Sequence, residues 1–154
     1  EAERLAQSVF DLRGGQQSRN RRLDAVLRRI GKASFQYGVR EQSALLGVAG
    51  VALKLLPEKQ RIRFILNGMA DALKKSNPQV NAWVDESGDM LAYIESTCAI
   101  CHSRQSTEPI CHLYVGSITE AVHWATGKEY VVRETHCLAK GDDFCRFEVG
   151  EVRA

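Results

Sequence analysis

EYVVRETHCLAKGDDFCRFEV, residues 129–149, is the stretch that decides the fold. Its first part, Glu129 to Glu134, alternates β-branched and polar side chains, and Phe144 to Val149 alternates again, so each predicts a strand. Between them, Cys137 to Asp143 contains Gly141-Asp142, which is typical of a turn. The stretch therefore predicts an antiparallel hairpin.

The hairpin carries residues that can hold a metal. Glu134 and Cys145 can face one interior, Cys137 lies on the connecting turn, and Cys111 lies in the first turn of the preceding helix and points to the core. A carboxylate in an apolar interior needs a partner. Three thiolates and one carboxylate form a closed tetrahedral set that suits structural Zn²⁺. Spacing alone leaves an alternative, in which the thiols are buried and free and Glu134 lies on the surface.

The elements outside this hairpin determine the fold class. Val80–Asp85 and Met90–Glu95 predict a first hairpin around a Ser-Gly-Asp turn, and Pro109 opens a helix that lasts to about Ala125. Earlier residues follow helical periodicity up to Pro78. We therefore expect an α+β domain, in which N-terminal helices pack on an antiparallel sheet and zinc joins the C-terminal helix to the hairpin.

The N-terminal half is predicted to be helical. Residues 1–17 are interpreted as an N-terminal extension or short helix that ends at Gly14-Gly15, and residues 18–150 as a single α+β domain. The domain begins with a helix capped by Ser18, followed by a helix over about Val39–Leu56 and one that begins at Pro57. The first of these carries its apolar residues at helical spacing, namely Leu23, Val26, Leu27 and Ile30.

Composition excludes several classes of protein. The chain has 154 residues and a net charge of +2, which argues against a nucleic-acid coat protein. Its longest uncharged run, Ala44 to Leu53, is too short to span a bilayer. No apolar signal segment is visible, so we expect a cytoplasmic protein. Because the chain starts at Glu1, we also expect a processed product or an excised piece.

A second cysteine motif lies in the predicted loop from Cys98 to Glu108. Cys98-Ala-Ile-Cys101-His102 fits the C-x-x-C-H pattern of haem attachment, and it also fits half of a zinc site or a redox pair. An iron–sulfur cluster could use several of the five cysteines. Structural or pocket-lining thiols are the remaining alternative.

The two cysteine-bearing runs resemble the vinyl-4-reductase-type domain. They are Pro109-Ile-Cys-His-Leu-Tyr-Val-Gly116 and the E-x-x-C, G-D and C-x-F elements from Glu134 to Phe147. The resemblance is close over about residues 80–150. The family includes the sensory domains of phenol-responsive activators, archaeal hydrocarbon-binding proteins and a protein associated with bacteriochlorophyll vinyl reduction, and its architecture is similar to TRAPP subunits.

The resemblance implies a ligand set and a function. In the phenol sensors, three cysteines and a glutamate hold zinc, and their spacing matches this chain at Cys111, Glu134, Cys137 and Cys145. We therefore expect a non-catalytic sensor for a small hydrophobic molecule, dimeric and with an effector domain outside this chain. The candidate pocket has His102 as a polar handle and aromatic walls, namely Trp83, Tyr93, Tyr114, Trp124 and Tyr130.

The alternative is a factor in tetrapyrrole biosynthesis that acts in vinyl-group reduction or carries a pigment intermediate. The sequence has no nucleotide-binding motif, so a reductase of this kind would need an external redox partner.

Overall fold

The computed structural model describes residues 2–41 and 53–152, with side chains from residue 20 onward. Within these residues, helices come first, followed by a pair of strands, a further helix and a second pair of strands. This order agrees with the sequence analysis, so the α+β class is confirmed. The elements are α1 (Ala2–Glu41), α2 (Glu58–Ser76), β1 (Ala82–Asp85), β2 (Ala92–Glu95), α3 (His112–Thr126), β3 (Tyr130–His136), a short 3₁₀ helix (Leu138–Lys140) and β4 (Cys145–Val152).

The four strands form one antiparallel sheet in the order β1-β2-β4-β3. Both hairpins occur as predicted, and the pairing of β2 with β4 joins them. In that register Tyr93 lies opposite Phe147, and Glu95 lies opposite Cys145. Because side chains alternate along a strand, these four residues share the face that the helices cover.

The last helix, α3, covers this face with one apolar side. Its buried residues include the predicted Val115, Ile118, Val122 and Ala125. The helix ends at Gly127, whose φ of 74° gives the left-handed cap that the Thr126-Gly127 pair predicts. The burial of this side fixes the start of α3, with Cys111, above the sheet.

The first helix crosses α3 at two glycines. A Cβ on Gly31 would overlap the carbonyl oxygen of Leu113, and one on Gly116 would overlap that of Arg28. Ser117 Oγ also donates to the carbonyl of Gly31 at 3.0 Å. Backbone therefore meets backbone at this crossing, which only residues without a side chain allow.

Two expectations for the N-terminal half are corrected. The helix continues through Gly14 and Gly15, because a helical glycine costs only about 1 kcal/mol and does not end a helix by itself. The apolar residues Leu23, Val26 and Ile30 are 56%, 48% and 47% exposed, since α1 turns its glycine side to α3. The helix expected over Val39–Leu56 falls largely on residues 42–52, outside the described residues.

Among the described helices, none has the length and apolar character that crossing a bilayer requires. The division of the chain at residues 17/18 and 150 remains a prediction.

Candidate metal centre

All five cysteines are free and buried. They come from three places in the fold: the loop after β2, the start of α3, and the β3–β4 hairpin. With Glu134 they form two overlapping groups, and in each group the candidate ligand atoms lie within 4.8 Å of one another.

The first group is the one predicted from the sequence, namely Cys111, Glu134, Cys137 and Cys145. Cys111 is the residue that precedes α3, and Cys145 is the first residue of β4. Glu134 lies on β3 just before an irregularity in the β3–β4 register between Glu134 and His136. A bulge of this kind redirects the side chains beside it and helps to aim the hairpin residues at the helix start.

The carboxylate of Glu134 has only one of its oxygens bonded. Oε2 accepts the backbone N–H of Cys111 at 2.8 Å. Oε1 is buried and has no hydrogen-bond partner among the described residues. A buried carboxylate oxygen without a partner is costly. A carboxylate oxygen of Glu134 lies within 4.8 Å of the three thiol sulfurs, so a cation bound there would compensate this carboxylate.

The turn that holds Cys137 is fixed by its own hydrogen bonds. The backbone N–H of Cys137 donates to Asp142 Oδ2 at 2.7 Å, and its carbonyl accepts the N–H of Lys140 at 2.9 Å. Gly141 adopts a φ of 93°, which favours glycine at this turn. The N–H of Leu138 points at Cys145 Sγ from 3.5 Å. The turn thus supplies donors to the site as well as a ligand.

The second group consists of four thiols, Cys98, Cys101, Cys111 and Cys145. The Sγ atoms of Cys98 and Cys111 are 3.5 Å apart, and those of Cys101 and Cys145 are 3.3 Å apart. Cys111 and Cys145 lie 3.9 Å apart. His102, which follows the C-x-x-C pair, is exposed and belongs to neither group.

The packed thiols influence one another's protonation. The pKa of Cys98 is lowered because the thiols of Cys111 and Cys145 hydrogen-bond to its sulfur, aided by the backbone amides of Cys101 and Ile100. The same hydrogen bonds, from Cys145 and from Cys98, raise the pKa of Cys111.

The two groups fit a tetrahedrally bound metal. With Zn–S bonds of about 2.3 Å, the edge of a tetrahedron of sulfurs is about 3.8 Å. Three separations in the four-thiol group, 3.3, 3.5 and 3.9 Å, are close to this edge, and the last of them, Cys111–Cys145, also belongs to the first group. A four-iron cluster attaches each thiolate to a different iron and spreads the ligands further apart. Haem attachment needs Cys98 and Cys101 to reach a macrocycle, whereas both are buried against other thiols.

A second buried carboxylate, Glu95, was missed by the sequence analysis. It is fully buried, and neither of its oxygens has a hydrogen-bond partner in the described part of the chain. Burial raises the pKa of Glu95 to about 7 and Cys98 adds to the rise, while the nearby hydroxyl of Tyr114, which does not reach hydrogen-bond geometry, opposes it. Strand alternation could have revealed this residue, because Glu95 shares a face with Tyr93 in the predicted strand.

The structure brings together two of the five aromatic residues proposed as pocket walls. Tyr93 and Tyr114 stack with ring centroids 6.4 Å apart, and Phe147 joins them at 6.3 and 5.6 Å. The other three lie elsewhere. Trp83 is partly exposed beside Phe144, Trp124 contacts Phe35 of α1, and Tyr130 hydrogen-bonds to Glu58 of α2.

His102 lies apart from the aromatic residues. It lines a surface groove with Thr97 and Arg104 of the loop after β2 and with Gln79, which precedes β1. The groove also borders Cys101, so it leads from solvent towards the thiol cluster.

These observations define a class of protein: a small α+β domain with a buried cluster of thiols and carboxylates between its last helix and its last hairpin. The V4R domain family matches residues 93–151, which contain the whole cluster. The resemblance found in the sequence is therefore confirmed over this part of the chain.

The individual proteins to which this chain is similar include two from one archaeon. An uncharacterized protein of Methanocaldococcus jannaschii is 36% identical over 70 residues, which cover 46% of this chain and 38% of that protein's length. A vinyl-4-reductase family protein from the same organism has a TM-score of 0.47 at 17% identity, over 75% of this chain and 82% of that chain.

The third relative is a solved sensory domain. The phenol-responsive sensory domain of the transcription activator PoxR, solved with phenol, has a TM-score of 0.51 at 16% identity, over 79% of this chain and 62% of that chain. At this level of identity the likeness establishes a shared fold.

Proposed function

We propose that this chain is a non-catalytic sensory domain that binds a small, largely apolar molecule and is held together by zinc. The observation that carries the binding function is Glu95, a buried carboxylate beside an aromatic cluster whose oxygens have no hydrogen-bond partner among the described residues. The V4R match and the fold shared with a phenol-responsive sensory domain support the same class of function.

The zinc site is proposed at Cys111, Glu134, Cys137 and Cys145, and its role is structural. Four protein ligands fill a tetrahedral shell and leave no open position for a substrate. The unpartnered Oε1 of Glu134 supports this assignment. A metal here would connect α3 to the β3–β4 hairpin, and structural zinc contributes strongly to folding in small domains.

The ligand is proposed to bind against Tyr93, Tyr114 and Phe147, with Glu95 as its polar partner. Burying a carboxylate is favourable only when a donor satisfies it. A hydroxyl or amino group on an aromatic ring would supply that donor, while the ring packs on the tyrosines. We therefore expect aromatic molecules with one hydrogen-bond donor rather than plain hydrocarbons.

Titration with matched probes tests this assignment. Calorimetry with phenol, benzylamine and toluene should show saturable binding, with at least one of the two donor-bearing probes bound at least about tenfold more tightly than toluene. The variant Glu95→Gln should lose most of that preference, and Glu151→Gln, on the exposed end of β4, should keep it. Equal affinity for all three probes, or a preference unchanged in Glu95→Gln, would refute the role of Glu95.

Removal of the metal tests the zinc site. Incubation with a chelator should release zinc and lower the melting temperature strongly, and zinc added back should restore it. Glu134→Gln keeps an oxygen for the Cys111 N–H but loses the charge, so its zinc affinity should fall by more than about tenfold. Purified protein that is folded and free of metal would contradict the proposal.

The proposed sensor acts as a homodimer and passes its signal to an effector domain outside this chain. The apolar residues Leu23, Val26, Ile30 and Tyr37 of α1 are exposed, and their spacing of three, four and seven residues is that of a coiled-coil seam. A second copy of the chain presents the same seam, so we infer that two α1 helices pair along it.

A further inference from the structure

The two candidate metal groups share two ligands. Cys111 and Cys145 belong to both, Cys98 and Cys101 belong only to one, and Cys137 and Glu134 belong only to the other. Six ligands arranged in this way describe two tetrahedra with a common edge, and the common edge is the pair Cys111–Cys145, whose Sγ atoms are 3.9 Å apart.

A separate observation indicates a cation on each side of the shared Cys111–Cys145 edge. On one side, Glu134 Oε1 is buried without a partner, and a neutral thiol cannot compensate a carboxylate. On the other side, four sulfurs lie within 4.8 Å of one another, and three of their separations, 3.3, 3.5 and 3.9 Å, are close to the edge of a tetrahedron around zinc. A single ion has four ligands and would leave one of these two features unexplained.

We propose that the domain holds a dinuclear zinc centre, in which the thiolates of Cys111 and Cys145 bridge two ions. One ion has Cys98 and Cys101 as its terminal ligands, and the other has Cys137 and Glu134. The second ion is the zinc of the proposed function, on which this inference rests, and the first is an additional site.

Two zinc ions would offset most of the negative charge of the six ligands. Five thiolates and one carboxylate carry six negative charges, and two zinc ions reduce the total to −2. Backbone N–H groups lie close to the remaining negative charge: the N–H of Leu138 points at Cys145 Sγ, and the N–H of Cys111 donates to Glu134. The loop after β2 thereby becomes attached to the centre, which explains why a segment without regular secondary structure is buried at Cys98 and Cys101.

Metal stoichiometry tests the proposal directly. Elemental analysis and native mass spectrometry of the full chain, purified without oxygen and supplied with zinc, should both give two zinc ions per chain. The double variant Cys98→Ser/Cys101→Ser should keep one ion, and the matched variant Glu134→Gln/Cys137→Ser should also keep one. Circular dichroism should show that both variants remain folded.

Cobalt provides a readout that needs no variant. The first equivalent of Co²⁺ should give the paramagnetic resonance signal of an isolated ion, and the second should reduce it, since bridging thiolates couple the two spins. A signal that grows in proportion to both equivalents would overturn the shared bridge.

The outcomes separate this inference from the proposed function. One zinc ion in the unmodified chain, retained in Cys98→Ser/Cys101→Ser and lost in Glu134→Gln/Cys137→Ser, refutes the dinuclear centre and leaves the proposed zinc site intact. A single ion lost in Cys98→Ser/Cys101→Ser and retained in the other variant refutes both, as does a folded chain without metal.

Discussion

Two buried glutamates illustrate how the same side chain serves different purposes. Glu134 has one oxygen bonded to the Cys111 N–H and one oxygen among thiols, so it is suited to a metal. Neither oxygen of Glu95 accepts a hydrogen bond from the described residues, and the carboxylate lies beside aromatic rings. It is therefore suited to a ligand that carries a hydrogen-bond donor. The surroundings of each carboxylate, and not its burial alone, indicate its role.

Replacement of Glu95 by Met should stabilise the ligand-free protein. The unpartnered carboxylate costs about 1–3 kcal/mol, and a methionine of similar volume avoids that cost. Urea unfolding of zinc-loaded protein would measure the change in the free energy of unfolding. Glu151→Met is the control, in which this free energy should change little. A lower free energy of unfolding for Glu95→Met would mean that Glu95 is satisfied within the chain.

At the scale of elements, the contact between α1 and α3 depends on two glycines. Gly31 and Gly116 allow the two helix backbones to touch, and side-chain bonds such as Asp24–His112 at 3.2 Å and Gln36–Glu120 at 2.8 Å flank the crossing. Any Cβ at the crossing must displace backbone, which cannot adjust as a flexible side chain does.

Replacement of Gly116 by Ala should therefore destabilise the domain by about 1–3 kcal/mol or more. Gly68 provides the control, because it lies in α2 and a Cβ there meets nothing within 4 Å. Gly68→Ala should be neutral or stabilising by up to about 1 kcal/mol. Thermal unfolding would compare the two, and equal melting temperatures would contradict the close crossing.

An ion pair links β1 to β4 across the intervening strand. Arg146 Nη1 lies 2.5 Å from Asp85 Oδ2, and this hydrogen bond lowers the pKa of Asp85 from 3.8 to about 2. A lowered carboxyl pKa stabilises the fold above the unfolded value, and the contribution is lost as the pH falls from about 4 to about 2.

The variant Asp85→Asn should consequently unfold more easily than the unmodified chain at pH 7, and the difference should vanish near pH 2. Urea unfolding at several pH values would show this. Glu86→Gln is the control. Among the described residues, Glu86 pairs with Arg63 at 3.4 Å in an exposed position, so its replacement should change the free energy of unfolding little. A difference that persists near pH 2 would contradict the role of the ion pair.

At the scale of the whole molecule, the thiol cluster is the point where separate elements meet. The loop after β2, the start of α3 and the β3–β4 hairpin all contribute ligands, although they are far apart in the sequence. A metal at this point restrains three segments at once, and the aromatic cluster with Glu95 lies on the same side of the sheet.

The exposed seam on α1 leads to a prediction about assembly. Light scattering should give a dimer for the unmodified chain and a monomer for Val26→Glu/Ile30→Glu, because charges in the seam oppose pairing. Ala25→Glu changes an exposed residue of the same helix outside the seam and should leave the dimer intact. A dimer that survives Val26→Glu/Ile30→Glu would place the interface elsewhere.

Local patterns in the sequence were sufficient to predict much of the fold. The alternation from Glu129 to Val149 and the Gly141 turn predicted the last hairpin, and Asn77-Pro78 marked the end of α2. The same reasoning failed at Gly14-Gly15 and on the exposed side of α1, because helix length and helix orientation depend on contacts with distant residues.

The sequence by itself determined the four strands, the last two helices, the class of domain and the four residues proposed to hold zinc, because strand alternation, turn residues and ligand types are local properties of the chain. Only the tertiary structure decided that Cys98 and Cys101 join Cys111 and Cys145, and that Glu95 is buried without a partner. Those relations depend on the pairing of β2 with β4, a contact between distant segments that no local pattern encodes.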